Sequence, residues 1–254
     1  MTPLSLSLIT LTRDDPAGLS RTLASAAALR NAGAEHVVVD GSLAPLRSSE
    51  AADGGRISVL PRPPQGIADA FNAGIAAATR EWVWCLNGDD QVDPRLTPDF
   101  LQRLLGNVTA DVIVGRTTYE GESEPRPHPP EHLRWPPVRS WIPHPSTLVR
   151  RRLFDRFGGF DEAYTIAMDY EWWLRAIPSG EGVELVPAPF AVFARGGVSQ
   201  RTENRPTLRR EQAAAVRQHQ GALIASRAVL NARWWKAWLF AQFTRRPSPQ
   251  RVRS

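Results

Sequence analysis

Cysteine is almost missing from this 254-residue chain, with Cys85 the only one. One thiol cannot close an intramolecular disulfide, so a stapled secreted scaffold is excluded. Cys85 stands in the apolar run Trp82-Val83-Trp84-Cys85-Leu86 and reads as a small buried residue of a strand. Long apolar runs are missing as well. No stretch of about 18 uninterrupted apolar residues offers a transmembrane helix. The opening Met1-Thr2-Pro3-Leu4 carries no basic leader, and the expectation is a cytoplasmic protein.

Acidic residues are missing from 212–254, which hold eight Lys or Arg, whereas the preceding 211 residues hold 23 basic and 26 acidic groups. A slightly acidic body with a basic tail, lacking any base-reading motif, excludes a nucleic-acid groove across the domain. It points instead to an anionic partner at the tail. There Trp234, Trp235, Trp238, Leu239, Phe240 and Phe243 interleave with Arg233, Lys236, Arg245 and Arg246. That mixture suits an anionic membrane surface met through residues 227–254, and equally a helix packing its tryptophans on the domain. The chain therefore divides into a domain over 1–220 and a basic, Trp-rich segment over 221–254, helical and then disordered from about Pro247.

What is present is an alternation of strand and helix patterns. Leu4 to Thr12 reads as a buried strand, and Asp14-Asp15-Pro16 opens a helix through about Ala32 that Gly33 closes. Glu35 to Asp40 and Arg56 to Leu60 read as strands. From Gly66 to Thr79 the apolar positions Ile67, Phe71 and Ile75 recur at helical spacing, and Glu81 to Leu86 forms a further strand. Crossovers of helical length predict an α/β fold with a mostly parallel sheet covered on both faces. Ligands in such sheets bind beyond the carboxyl ends of the strands, where Thr10, Asp40 and Asp89-Asp90 fall. Eight prolines between 121 and 145 exclude a regular helix or central strand there and suggest a long loop over the site.

Asn87-Gly88-Asp89-Asp90 puts two carboxylates on a turn, a donor set for a hard divalent cation completed by diphosphate oxygens, or simply a solvated acidic turn. Asp93-Pro94 could cap a helix from Arg95. Asp169, beside Met168, Tyr170, Trp172 and Trp173, is a candidate general base with raised proton affinity, or a first-turn acid of a helix. Glu171 and Arg175, four apart, pair on one helix face. His144, between Pro143 and Pro145, serves a ligand or packs a loop.

Read in order, these segments resemble the family 2 glycosyltransferases, inverting enzymes of the GT-A fold, over most of residues 4–215. Leu8-Ile9-Thr10-Leu11-Thr12 is similar to the opening strand, and Val37-Val38-Val39-Asp40-Gly41-Ser42 to the strand whose acid meets the nucleotide base. Gly66 to Ile75, with Asp69 and Asn72 facing the donor, and Gly196-Gly197-Val198-Ser199 resemble a colanic-acid or surface-polysaccharide subgroup. Leu86-Asn87-Gly88-Asp89-Asp90 stands where the family keeps an Asp-x-Asp metal motif, with Asn87 in place of the first acid. His144 to Val149, Gly158 to Glu162 and then Met168-Asp169-Tyr170-Glu171 complete the set.

The resemblance implies a nucleotide-sugar donor, by default a UDP-sugar, and Mg²⁺ or Mn²⁺ on Asp89 and Asp90. It implies donor contacts from Thr10, Thr12, Asp40, Asp69, Asn72, Asn87, Asp89 and His144. Asp169 becomes the catalytic base, and the acceptor a glycan or polyprenyl-linked hydroxyl at the inner face of the cell membrane. Two competing readings are a non-catalytic nucleotide-sugar binder, since Asn87 and Met168 weaken both acidic motifs, and a nucleotidyltransferase. The latter would want a Gly-rich basic phosphate loop, which Thr12-Arg13-Asp14-Asp15 is not.

Overall fold

The computed structural model describes residues 3–43, 57–61, 65–130, 140–177 and 182–220. The tail segment at 221–254 lies outside the described residues, as does the middle of the Pro-rich segment. Of that segment, residues 121–130 contain neither helix nor named strand, one bridge joining Arg126 to Thr117, and its end enters a single 3-10 turn at His144–Ser146.

Strand β1 (Leu6–Thr12) leads through helices α1 (Pro16–Ser25) and α2 (Ala27–Asn31) to β2 (Glu35–Asp40). The single helix expected to Ala32 is thus two, separated at Ala26, and its cap is Asp15, whose carboxylate accepts the Gly18 N–H. Next come β3 (Ile57–Pro61), α3 (Ile67–Ala77), β4 (Trp82–Asn87), the two-residue β5 (Gln91–Val92) and α4 (Pro98–Asn107). α4 is capped by Thr97, not by Asp93, because Asp93 is committed to Arg95 and Thr118. Then follow β6 (Val112–Tyr119), β7 (Thr147–Arg150), α5 (Arg151–Phe157), α6 (Met168–Ala176), β8 (Val183–Phe193) and α7 (Arg205–Gln220).

The eight strands form one sheet in the order β3-β2-β1-β4-β7-β6-β8-β5. β1, β2, β3 and β4 are mutually parallel; β7 is reversed against both β4 and β6, and β6 pairs parallel with β8. Six strands therefore point the same way. Thr12, Asp40, Asn87, Tyr119 and Phe193 end at one edge, and β7 starts from that edge just after His144.

Alternation along each strand divides the core in two. Ile9, Val37, Val39, Val83, Cys85, Val112 and Val114 join Phe71 and Ile75 of α3 and Trp172 and Trp173 of α6 on one face. Leu6, Leu8, Trp82, Trp84, Leu86 and Ile113 join Leu29 of α2 and Leu101 and Leu105 of α4 on the other. Each such side chain, fully buried, contributes roughly 1.5–3 kcal/mol. α3 lies close on β1 because Gly74 has no side chain: a Cβ there would stand 2.3 Å from the Ile9 Cγ2.

Candidate functional site

Three strand ends converge at the carboxyl edge. Thr12 of β1 is level with Asp40 of β2, and Leu11 with Asn87 of β4. Gly88 lets the turn after β4 close over β1, since a Cβ at that position would lie 2.4 Å from the Leu11 carbonyl oxygen. Asp40 is buried and accepts the Ser42 N–H at 2.9 Å. Ser42 in turn accepts the Asp14 N–H through its hydroxyl, and the Asp14 carboxylate accepts the Leu43 N–H. Asp14 has a φ of 52°, a left-handed conformation held by these two bonds. Nothing in the sequence flagged Asp14 as more than a helix-opening acid.

The two carboxylates of the β4 turn face different surroundings. Asp90 is turned inward and fully buried. Its carboxyl accepts the Ala194 N–H at 2.8 Å and the Asn87 amide at 3.3 Å, and its own carbonyl accepts the Thr22 hydroxyl. Burial pushes its pKa up to about 8, so it is largely a neutral acid at pH 7. Its oxygens are thus spent on the fold, a physical obstacle to the shared metal role expected for it. Asp89 stays partly open; burial, and secondarily the Asp15 charge, raise its pKa above the usual carboxylate value.

Thr10 lies two residues short of the β1 end and is fully buried. Its hydroxyl meets His36 Nε2 at 2.9 Å, so it braces β1 against β2 instead of opening toward a ligand. Burial, helped by the Arg30 charge, lowers the His36 pKa to about 3 and keeps it neutral.

On the α3 face, Asp69 is buried in the first turn, where the helix dipole favours an acid. Asn72 is engaged twice with one backbone unit: its Nδ2 donates to the Phe160 carbonyl at 2.9 Å and its Oδ1 accepts the Phe160 N–H at 2.7 Å. The donor contact expected of Asn72 is therefore replaced by a clamp across 88 residues. His144 packs edge-on between Phe71 and Phe160, with ring centroids 5.2 and 5.7 Å away. Burial lowers its pKa to about 4, and neither ring nitrogen has a hydrogen-bond partner among the described residues.

Asp169 stands in the first turn of α6, between the segment clamped to α3 at Phe160 and the start of β8. It is partly buried, accepts the Tyr170 N–H at 2.7 Å, and burial raises its pKa to about 6. Its backbone is set by a residue that sequence reasoning missed. Glu211 of α7 accepts the N–H groups of Thr165, Ile166 and Ala167 and the Thr165 hydroxyl, at 2.6 to 3.0 Å. No local pattern marks Glu211, because all its partners lie at least 44 residues away. The Glu171–Arg175 pair forms as expected, at 2.8 Å, and His219 of α7 adds a third member at 2.8 Å from Glu171.

The matches with known proteins follow this geometry. Two uncharacterized glycosyltransferases of Mycobacterium tuberculosis, from strains CDC 1551 / Oshkosh and H37Rv, are each 29% identical over 187 residues, covering 68% of this chain and 68% of theirs. Among solved structures, S. aureus TarS 1-349 in complex with UDP-GlcNAc superposes with a TM-score of 0.61 at 16% identity, over 84% of this chain and 67% of that one. The UDP complex gives 0.62 at 15% identity, over 91% and 72%. Against a longer TarS chain the score is 0.59, and this chain spans 40% of its length. These likenesses establish the GT-A arrangement of the sheet. The model for Glycosyl transferase family 2 matches residues 7–168, from β1 to the first residue of α6, and so spans the converging strand ends and reaches the residue before Asp169: the chain belongs to glycosyl transferase family 2.

Proposed function

We propose that this glycosyltransferase moves a sugar from a UDP-sugar or related nucleotide-sugar to an acceptor hydroxyl in a single inverting displacement, with Asp169 as general base. The observation that carries the reading is the state of Asp169. A carboxyl raised to about 6 is ionised at pH 7 yet holds a proton well enough to take one from an attacking hydroxyl. The acceptor oxygen forms a bond to the anomeric carbon as the bond to the nucleoside diphosphate breaks. The proton passes to Asp169, and the electron pair leaves with the diphosphate. The UDP-GlcNAc and UDP held by the TarS structures support a uridine nucleotide as donor.

In this reading Thr12 and Asp40 meet the nucleotide, and Asp69 and His144 border the sugar. Asn87 fixes the turn by its bond to Asp90. The residues fit a Mg²⁺ or Mn²⁺ ion shared with the donor's diphosphate, with Asp89 as protein ligand, and not an all-protein cage. No group of three or more His, Cys, Asp or Glu able to hold a metal occurs among the described residues. When bound, such an ion neutralises charge on the departing diphosphate. A lipid-linked or polysaccharide acceptor, implied by the subgroup resemblance, completes the proposal.

The test is nucleoside diphosphate release from a panel of nucleotide-sugars, with glycan and polyprenyl-linked acceptors, in Mn²⁺, Mg²⁺ or EDTA. Metal-dependent release from one donor, lost in Asp89→Ala, is the expected result. Absence of both release and metal-dependent donor binding across the panel would instead mark a non-catalytic module.

A further inference from the structure

A cationic surface adjoins the site edge and has no role in the chemistry above. The loop following β8 begins at Ala194, whose N–H is held by Asp90, and is braced from within. Gln200 donates to the Ala194 carbonyl, Arg201 Nε to the Gly196 carbonyl, and Asn204 to the Val198 carbonyl. It delivers the chain into α7, where Arg205, Arg209, Arg210 and Arg217 are exposed. At about 100° per residue these four fall within one arc of the helix. Glu211 and Ala215, on the other side of α7, turn inward onto α6 and its approach, while Val216, one residue before Arg217, is buried further along the helix.

Arg201, Arg205, Arg209, Arg210 and Arg217 enter no ion pair among the described residues, and Glu203 is the one exposed acid between 194 and 219. Exposed guanidinium groups spread along about 18 Å of one helix present a positive field that attracts an anionic surface. Residues 221–254 cannot be that surface, since they hold seven more basic residues and no acid. The apolar Val198 stands 40% exposed in the same loop. An apolar tip among arginines gains by entering a headgroup layer and gains nothing against a sugar–phosphate backbone.

We propose that the 194–204 loop and the outer side of α7 form a docking surface for an anionic phospholipid bilayer. The enzyme then rests with the carboxyl edge of its sheet beside the membrane, where a hydroxyl carried on a lipid reaches Asp169. Docking itself is independent of the donor and of the transfer reaction.

The test is co-sedimentation of the full chain with phosphatidylcholine vesicles, with and without phosphatidylglycerol. Binding is expected only with phosphatidylglycerol and falls as salt rises. Arg205→Gln, Arg209→Gln and Arg210→Gln combined should weaken it about a hundredfold, at about fivefold per arginine. A second variant, Arg201→Gln with Arg217→Gln, should lose roughly 25-fold, which keeps the test decisive should the triple variant misfold. Turnover with a soluble acceptor stays unchanged in both. Unchanged vesicle binding by the folded variants, equal binding to neutral vesicles, no binding, or tighter retention of duplex DNA at the same salt would each overturn the docking surface. None of these results bears on the transfer activity.

Discussion

Replacing Asp169 with Asn should make the protein more stable and nearly inactive at once. In the folded state the Asp169 carboxyl is raised from 3.8 to about 6 by burial, so its charge is held at a cost. The rise corresponds to about 3 kcal/mol at pH 7.5, where both folded and unfolded forms are ionised. Because the folded pKa is the higher one, the group favours folding most below pH 3.8 and loses that contribution as pH climbs through 6. Asn carries no charge and keeps the oxygen that accepts the Tyr170 N–H, so the substitution removes the cost and retains the bond. For a domain of this size the gain amounts to a Tm increase of roughly 6–12 °C at pH 7.5. At pH 5 the wild-type carboxyl is mostly protonated in the fold and the gain shrinks to about half. Turnover falls by ~10²–10⁴ while donor binding persists. Calorimetry at the two pH values, beside single-turnover kinetics, checks both halves. A Tm at pH 7.5 equal to or below the wild type would refute the energetic argument, and near-normal turnover would refute the role.

Two further substitutions separate scaffolding from contact with substrate. Asn72→Ala removes both bonds to the Phe160 backbone and should cost about 2–3 kcal/mol in chemical denaturation, with donor KM unchanged; a KM effect without loss of stability would return Asn72 to the donor site. Glu211→Gln leaves part of the cap at 165–167 unmade and should lower kcat more than it raises donor KM, together with a loss of about 1–3 kcal/mol. Wild-type kcat in Glu211→Gln would remove the link from α7 to Asp169.

The sheet's parallel half was legible because its strands are short apolar runs ended by turns, with helical periods after β1 and β3. Its other half was not, because β7 enters the sheet between β4 and β6 only through long-range pairing, and β5 has two residues and no periodicity of its own. At the site, order along the chain located the strand ends but not the direction of each side chain. Asp89 and Asp90 look equivalent on a turn, yet one stays partly open and the other faces Ala194, which follows β8. Thr10 fell two residues short of the edge because the strand continues to Thr12. Helical spacing found Asn72 but not the Phe160 backbone it binds, and Glu211 had no neighbour in sequence to reveal it.

The bond from Asp90 to Ala194 also imposes an order on assembly. Strands β3, β2, β1 and β4 can pair with one another using residues no later than 87, so this half of the sheet needs nothing from further along the chain. The Asp90 carboxyl must wait for a partner 104 residues away, and β6 joins this half only once β7 has been inserted between them. Contacts of such separation form late, after their loops have closed. On a ribosome the bond from Ala194 would therefore form only after β8 emerges, and a truncated chain ending before residue 194 would hold the turn that carries Asp89 only through its contacts with β1, α1 and Asn87.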